Sequence, residues 1–218
     1  MKRVILLFVL CVTVFFAACT TEPSNESATN QQGNKEQSRE EQKSAVIKNG
    51  ELTPFEEGLL QSIGDRAFVH DIDIENLDVS EVYVTVDHYT KGELVSKVVE
   101  MTTPIYENSD DKIIRTVFIN QQFENNKKER WALSVMTNSE SAHGSIEREL
   151  NLDEDYSLSA YGGITDPVSL SLNELYAVAS VIRTNEDTIT VINGPLTNEE
   201  LKEVTNYDHV YIVSIQLN

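Results

Sequence analysis

The chain has 218 residues, 40% hydrophobic and 24% charged, with 9 Gly and 5 Pro. That balance excludes collagen-like and wholly disordered chains and fits one or two globular domains. A formal net charge of −19 argues against nucleic acid as a partner, because a phosphate backbone needs a cationic face. The 2 cysteines cannot make a disulfide framework, and no CxxC pair is present.

Residues 1–18 read as an export signal. Lys2 and Arg3 form a positive start, and Val4–Phe16 is uncharged throughout. That run is too short to span comfortably a hydrocarbon core of about 30 Å. The small pair Ala17-Ala18 follows, and then Cys19. The series Phe16-Ala17-Ala18-Cys19 resembles the lipobox of bacterial lipoproteins, with Phe16 where that family usually has Leu. The resemblance implies cleavage before Cys19 and a covalent lipid on its sulfur. It also implies a protein held at the extracytoplasmic face of the cell membrane. Processing would remove Lys2, Arg3 and Cys11, leaving a more acidic chain without a free thiol.

Residues 19–50 read as a flexible polar tether, because so few apolar groups cannot offset the entropy of ordering. About 30 such residues reach at most roughly 100 Å extended, and roughly 30 Å as a coil. The folded region is then 51–218, either one domain or two small β subdomains divided near 138–144. Thr53-Pro54-Phe55-Glu56 is a capping box with proline at the first helical position. Phe55, Leu59, Leu60 and Ile63 share a helical face, and Gly64 is the stop.

From Ala67 the period becomes two. Phe68, His70, Ile72 and Ile74 form one strand face, and Val82, Val84, Val86 and His88 the next. Lys91-Gly92-Glu93 predicts a hairpin, with Leu94–Met101 returning. Ile113–Phe123 and Arg130–Thr137 form a second hairpin, with Trp131, Leu133 and Val135 pointing one way. Ser145–Leu152 and Tyr156–Tyr161 are predicted as a third, around Asp153-Glu154-Asp155. Val168, Leu170 and Leu172 alternate with serines. Ala177–Arg183 and Thr188–Asn193 flank a turn at Asn185-Glu186-Asp187. Thr197-Asn198-Glu199-Glu200 is a second capping box, and His209–Leu217 is the final strand. Many short strands without long helices between them predict a mostly β chain, an antiparallel β-sandwich with two short helices. The residues of this region suggest no family.

Candidate chemistry is sparse. His70 and His88 continue apolar strand faces beside Asp71 and Asp87, and would approach each other if their strands paired. They are the weak metal candidates, set against a plain reading as histidines at the core margin. No HxH or HExxH motif supports a metal. Asn151–Asp155 starts like an EF-hand loop but has Tyr156 and Gly162 where Gly and Glu are required. There is no GxSxG, and the SxxK match at Ser109–Lys112 lies in a polar loop. Gly162-Gly163 reads as a turn. Tyr83 and Tyr89 share a strand face with Thr85 and Asp87, which is either an interaction surface for a protein or glycan or a half-buried sheet face.

The sequence therefore leads to a lipid-anchored extracytoplasmic protein with a non-enzymatic binding module. Its expected partners are the membrane, through the lipid on Cys19, and an extracytoplasmic protein or cell-wall component. No cofactor or metal is assigned. The alternatives are a cell-surface enzyme with a loop-assembled site and a ligand-sensing surface component.

Overall fold

The computed structural model describes residues 44–106, 112–123, 128–149, 156–191 and 196–218. In chain order the elements are β1 (Ala45–Asn49), α1 (Pro54–Ile63), β2 (Arg66–Asp73), β3 (Glu81–Thr90), β4 (Glu93–Pro104) and β5 (Ile113–Phe123). Then follow β6 (Lys128–Met136), β7 (Ser141–Glu149), β8 (Leu158–Gly163), β9 (Val168–Leu170), β10 (Leu175–Thr184), α2 (Asn198–Val204) and β11 (His209–Leu217). The chain is mostly β, with two short helices. A six-stranded sheet has the order β7-β6-β5-β2-β1-β9, and a five-stranded sheet the order β4-β3-β11-β10-β8. All named strand pairs are antiparallel.

Local chemistry explains the elements. Both helices start at the expected capping boxes: the Thr53 hydroxyl accepts the Glu56 N–H at 3.3 Å, and the Glu56 carboxylate accepts the Thr53 N–H at 2.7 Å. The Thr197–Glu200 pair does the same for α2. Lys91 and Gly92 both have positive φ, 49° and 84°, which suits a two-residue turn whose twist matches its flanking strands. One hydrophobic cluster draws on both sheets, with Ile47, Ile72, Phe118 and Trp131 from the first and Val84, Val181, Tyr211 and Val213 from the second. A smaller cluster forms on the other face of the five-stranded sheet, where Ile182, Val210 and Ile212 pack with Val204 of α2.

Several expectations are corrected. Most of the span read as a tether lies outside the described residues, but its end does not. Ala45–Asn49 is β1, paired between β2 and β9. The ordered region thus begins before Glu51; its apolar start, Ala45-Val46-Ile47, is too short to stand out from a polar context. The expected hairpin between 145 and 161 is absent. β7 pairs with β6 in one sheet and β8 with β10 in the other, and the turn expected at Asp153-Glu154-Asp155 lies outside the described residues. Residues 188–191 form no strand; Ile189 and Val191 pack against the smaller cluster instead. Gly162-Gly163 is the end of β8 rather than a turn. Residues 138–144 are the turn and leading half of the β6–β7 hairpin.

Helix α1 is held by Arg115 of β5. Its guanidinium pairs with Asp71 at 2.6 Å, lies 3.7 Å from the Glu56 carboxylate and donates to the Glu51 carbonyl at 3.3 Å. A Cβ on Gly64, at the helix end, would collide with Ile119. The apolar stripe of α1 faces solvent: Phe55, Leu59 and Ile63 are exposed. Among the described residues no helix is long and apolar enough to cross a membrane.

Trp131 is fully buried and packs against Tyr211 of the opposite sheet at 5.4 Å between ring centroids. Trp131→Ala should therefore lower stability by about 3–5 kcal/mol, as large-to-small core changes do. Denaturant titration of the two chains checks this.

Candidate functional site

Charged groups gather where the two sheets meet at one end. Glu129 has the same strand parity as Trp131 and Leu133, so it points inward, and it is fully buried. Arg183 of β10 shares inward parity with Val181 and reaches across from the other sheet. Its Nη1 and Nη2 donate to Glu129 Oε2 at 3.1 and 3.2 Å. Asn120 Nδ2 donates to the same oxygen at 3.3 Å. The other oxygen, Oε1, lies 3.4 Å from Arg148 Nε on β7. One carboxylate is thus set between two guanidinium groups, a geometry that can offset the desolvation of the buried charges.

The network continues on both sides. Asn120 Oδ1 accepts from Arg183 at 3.2 Å and from Arg66 of β2 at 3.4 Å. Arg66 also donates to the Ser159 hydroxyl of β8 at 2.7 Å. Burial, and then the Arg183 charge, push the Arg66 pKa down. Tyr211 lies beneath the Arg183 guanidinium at 5.1 Å and stacks on His88 at 4.7 Å. Burial, and then the Glu129 charge, push its phenol pKa up.

The structure separates the histidines that the sequence suggested as a pair. His70 lies on β2 and His88 on β3, in different sheets. His70 is buried against Phe118, and burial pushes its pKa down to about 4. His88 meets His209 instead, with Nε2 and Nδ1 2.8 Å apart. Arg148 Nη2 lies 3.4 Å from His88 Nδ1. A guanidinium has no acceptor, so His88 Nδ1 accepts, its proton sits on Nε2, and His209 carries its own on Nε2. Burial, then the charge of Arg148, lower the His88 pKa to about 3, so the ring is neutral at physiological pH. His143 lies on β7, between the hydroxyls of Ser134 and Ser141. Among the described residues no group of three or more His, Cys, Asp or Glu side chains is placed to hold a metal ion.

Tyr83 and Tyr89 do share a face of β3, but Thr85 and Asp87 between them are buried. The Tyr83 hydroxyl donates to Glu100 at 2.6 Å and accepts from Lys97 at 2.8 Å. Tyr89 packs against the smaller cluster. Cys19 lies outside the described residues.

An open site lies on the other side of Arg66. A cleft of about 520 Å³ separates the end of β8 from α1 and the facing parts of β1 and β2. Leu60, Arg66, Phe68, Tyr161 and Ile164 line it, with Glu57 and Asp65 at its exposed rim. Tyr161 is 58% exposed, and its ring meets that of Phe68 edge to face with centroids 6.3 Å apart. Neither the cleft nor the Glu129 network was expected from the sequence. A signal for the network existed: Glu129 and Arg183 continue core-facing strand parity, which only inward charges would do.

Removing one member of the buried pair should be costly. Glu129→Leu leaves Arg183 unpaired and should destabilise by about 3–5 kcal/mol, while adding Arg183→Met should restore most of that loss in a double-mutant cycle. Acid should also unfold the protein through its histidines. Between the folded value of about 3 for His88 and the ordinary 6.5, the unfolded chain binds more protons. Stability should therefore be complete above pH 6.5 and fall as pH drops towards 3. A shallower slope in His88→Gln, measured by thermal melts across that range, checks the assignment.

Comparison with known proteins identifies a family. No curated protein and no solved structure matches the chain. The YgaN domain family matches residues 46–217, from the first strand of the six-stranded sheet to the last residue of β11. The chain belongs to the YgaN domain family.

Proposed function

We propose that this chain is a lipid-anchored extracytoplasmic protein whose domain, its two sheets faced as an antiparallel β-sandwich, binds a partner without chemical catalysis. The anchor is the lipid expected on Cys19 after Phe16-Ala17-Ala18. Acyl chains stabilise membrane attachment by about 0.8 kcal/mol per buried CH₂. The observation that carries the binding reading is the contrast between the two sites. Glu129 and Arg183 are buried and paired with each other, so neither is presented to a substrate as a nucleophile or base. The cleft beside β8 is open, walled by an exposed tyrosine and rimmed by polar groups, as recognition sites are.

Two measurements test this. Cys19→Ala should shift the protein from the membrane fraction to the soluble fraction, or leave the precursor unprocessed; unchanged fractionation would remove the lipoprotein reading. A photo-crosslinking amino acid at Tyr161, in intact cells, should yield a discrete adduct that the same group at Leu94 of β4 does not. Equal adducts at both positions, or none, would remove the binding reading.

A further inference from the structure

Among the described residues, four strands end the two sheets: β7 and β9 in one, β4 and β8 in the other. Exposed edges invite pairing with other chains, and natural sheets blunt them with charge, proline, bulges or shortness. Three of the four are blunted in this way. β9 has only 3 residues. β7 ends in Glu147-Arg148-Glu149. β4 carries Lys97, ends at Pro104 and pairs with β3 through two register irregularities. β8, Leu-Ser-Ala-Tyr-Gly-Gly, has no charge, no proline and no irregularity in its pairing with β10.

The register fixes which backbone groups point outward. Ile164 N donates to Val178 O at 3.0 Å, next to the pairs Gly163↔Ala179 and Gly162↔Ser180. Antiparallel ladders alternate, so the residues in step with Ile164, namely Leu158, Ala160 and Gly162, bond to β10. Ser159, Tyr161 and Gly163 direct their N–H and C=O groups away from it. That outward edge borders the cleft, which Tyr161, Gly162 and Gly163 line. At the two glycines no side chain keeps an incoming backbone at a distance.

We propose that β8 is a docking edge: an extended, basic segment of a partner polypeptide adds to it as a further strand and seats a side chain in the cleft. Charge selects this occupant. The chain carries −19, and the cleft rim presents the exposed carboxylates of Glu57 and Asp65. Among the described residues the one cationic side chain lining the cleft is Arg66, which is held by Asn120 and Ser159. A second copy of so acidic a chain is disfavoured by the same charge. The proposal deepens the binding-module reading and rests on it.

The test uses the full-length chain in detergent micelles and a displayed library of random peptides. Enriched peptides should alternate Lys or Arg with apolar residues. Their affinity is then compared for Tyr161→Val and Tyr161→Pro. Both lose the ring, but only proline removes the outward N–H, and the β10 ladder does not use that group. Y161P should bind about tenfold more weakly than Y161V, the size of one main-chain hydrogen bond lost with its partner left unsatisfied. Bound peptide should also slow hydrogen exchange at the amides of Ser159, Tyr161 and Gly163 in the wild-type chain, a reading that stands even if Y161P fails to fold. Equal binding to the two variants, no slowing at these amides, enrichment of acidic peptides or of none, or sedimentation as a dimer closed through β8 would each overturn the proposal. A specific adduct at Tyr161 together with equal binding to the two variants would leave the binding module standing and remove only strand addition.

Discussion

The buried Glu129 carboxylate is the point on which the interior is organised. It lies on β6 and is gripped by Arg183 of β10, so the contact bridges the two sheets. Burying such a group is costly unless it is paired and hydrogen-bonded. Here three hydrogen bonds converge on one oxygen while a second arginine lies beside the other. A one-residue slip of β6 or of β10 within its own sheet would turn Glu129 or Arg183 to the outer face and break the arrangement, so the pair helps to specify the register. The hydrophobic cluster beside it opposes the same slip, since it would carry a whole apolar strand face out to solvent.

The same charges set the behaviour of their neighbours. Arg148 and Arg183 both disfavour a proton on His88, and burial does so more strongly, so the ring remains neutral and stacks on Tyr211. A neutral histidine pair with fixed tautomers suits a packing role. The network then passes through Asn120 to Arg66, which spans from β2 to Ser159 on β8. This link holds the edge strand beside the cleft. The interior ion pairs are therefore linked to the surface proposed for recognition.

Much of this organisation was legible in the residue pattern. Capping boxes at Thr53 and Thr197 located both helices, because their hydrogen bonds lie within three residues and owe nothing to the rest of the fold. Period-two runs located β2, β3, β5, β6 and β11, because one face of each packs into a core. Lys91-Gly92 marked its hairpin through a backbone conformation that few residues adopt. In each case the deciding physics is local.

Tertiary structure decided whatever depends on partners distant in sequence. Nothing near residues 150–155 indicates that β7 and β8 belong to different sheets, since turn residues look alike whether the chain folds back or crosses over. β1 needs β2 and β9 to be a strand at all. His88 meets His209 rather than His70 because strand order, which local pattern does not encode, puts β11 beside β3. The sequence by itself determined where strands and helices form and how acidic the protein is. The tertiary structure alone decided which edges stay open and which charges meet, because both depend on ladders and side chains that join residues distant in the chain, 54 apart for Glu129 and Arg183.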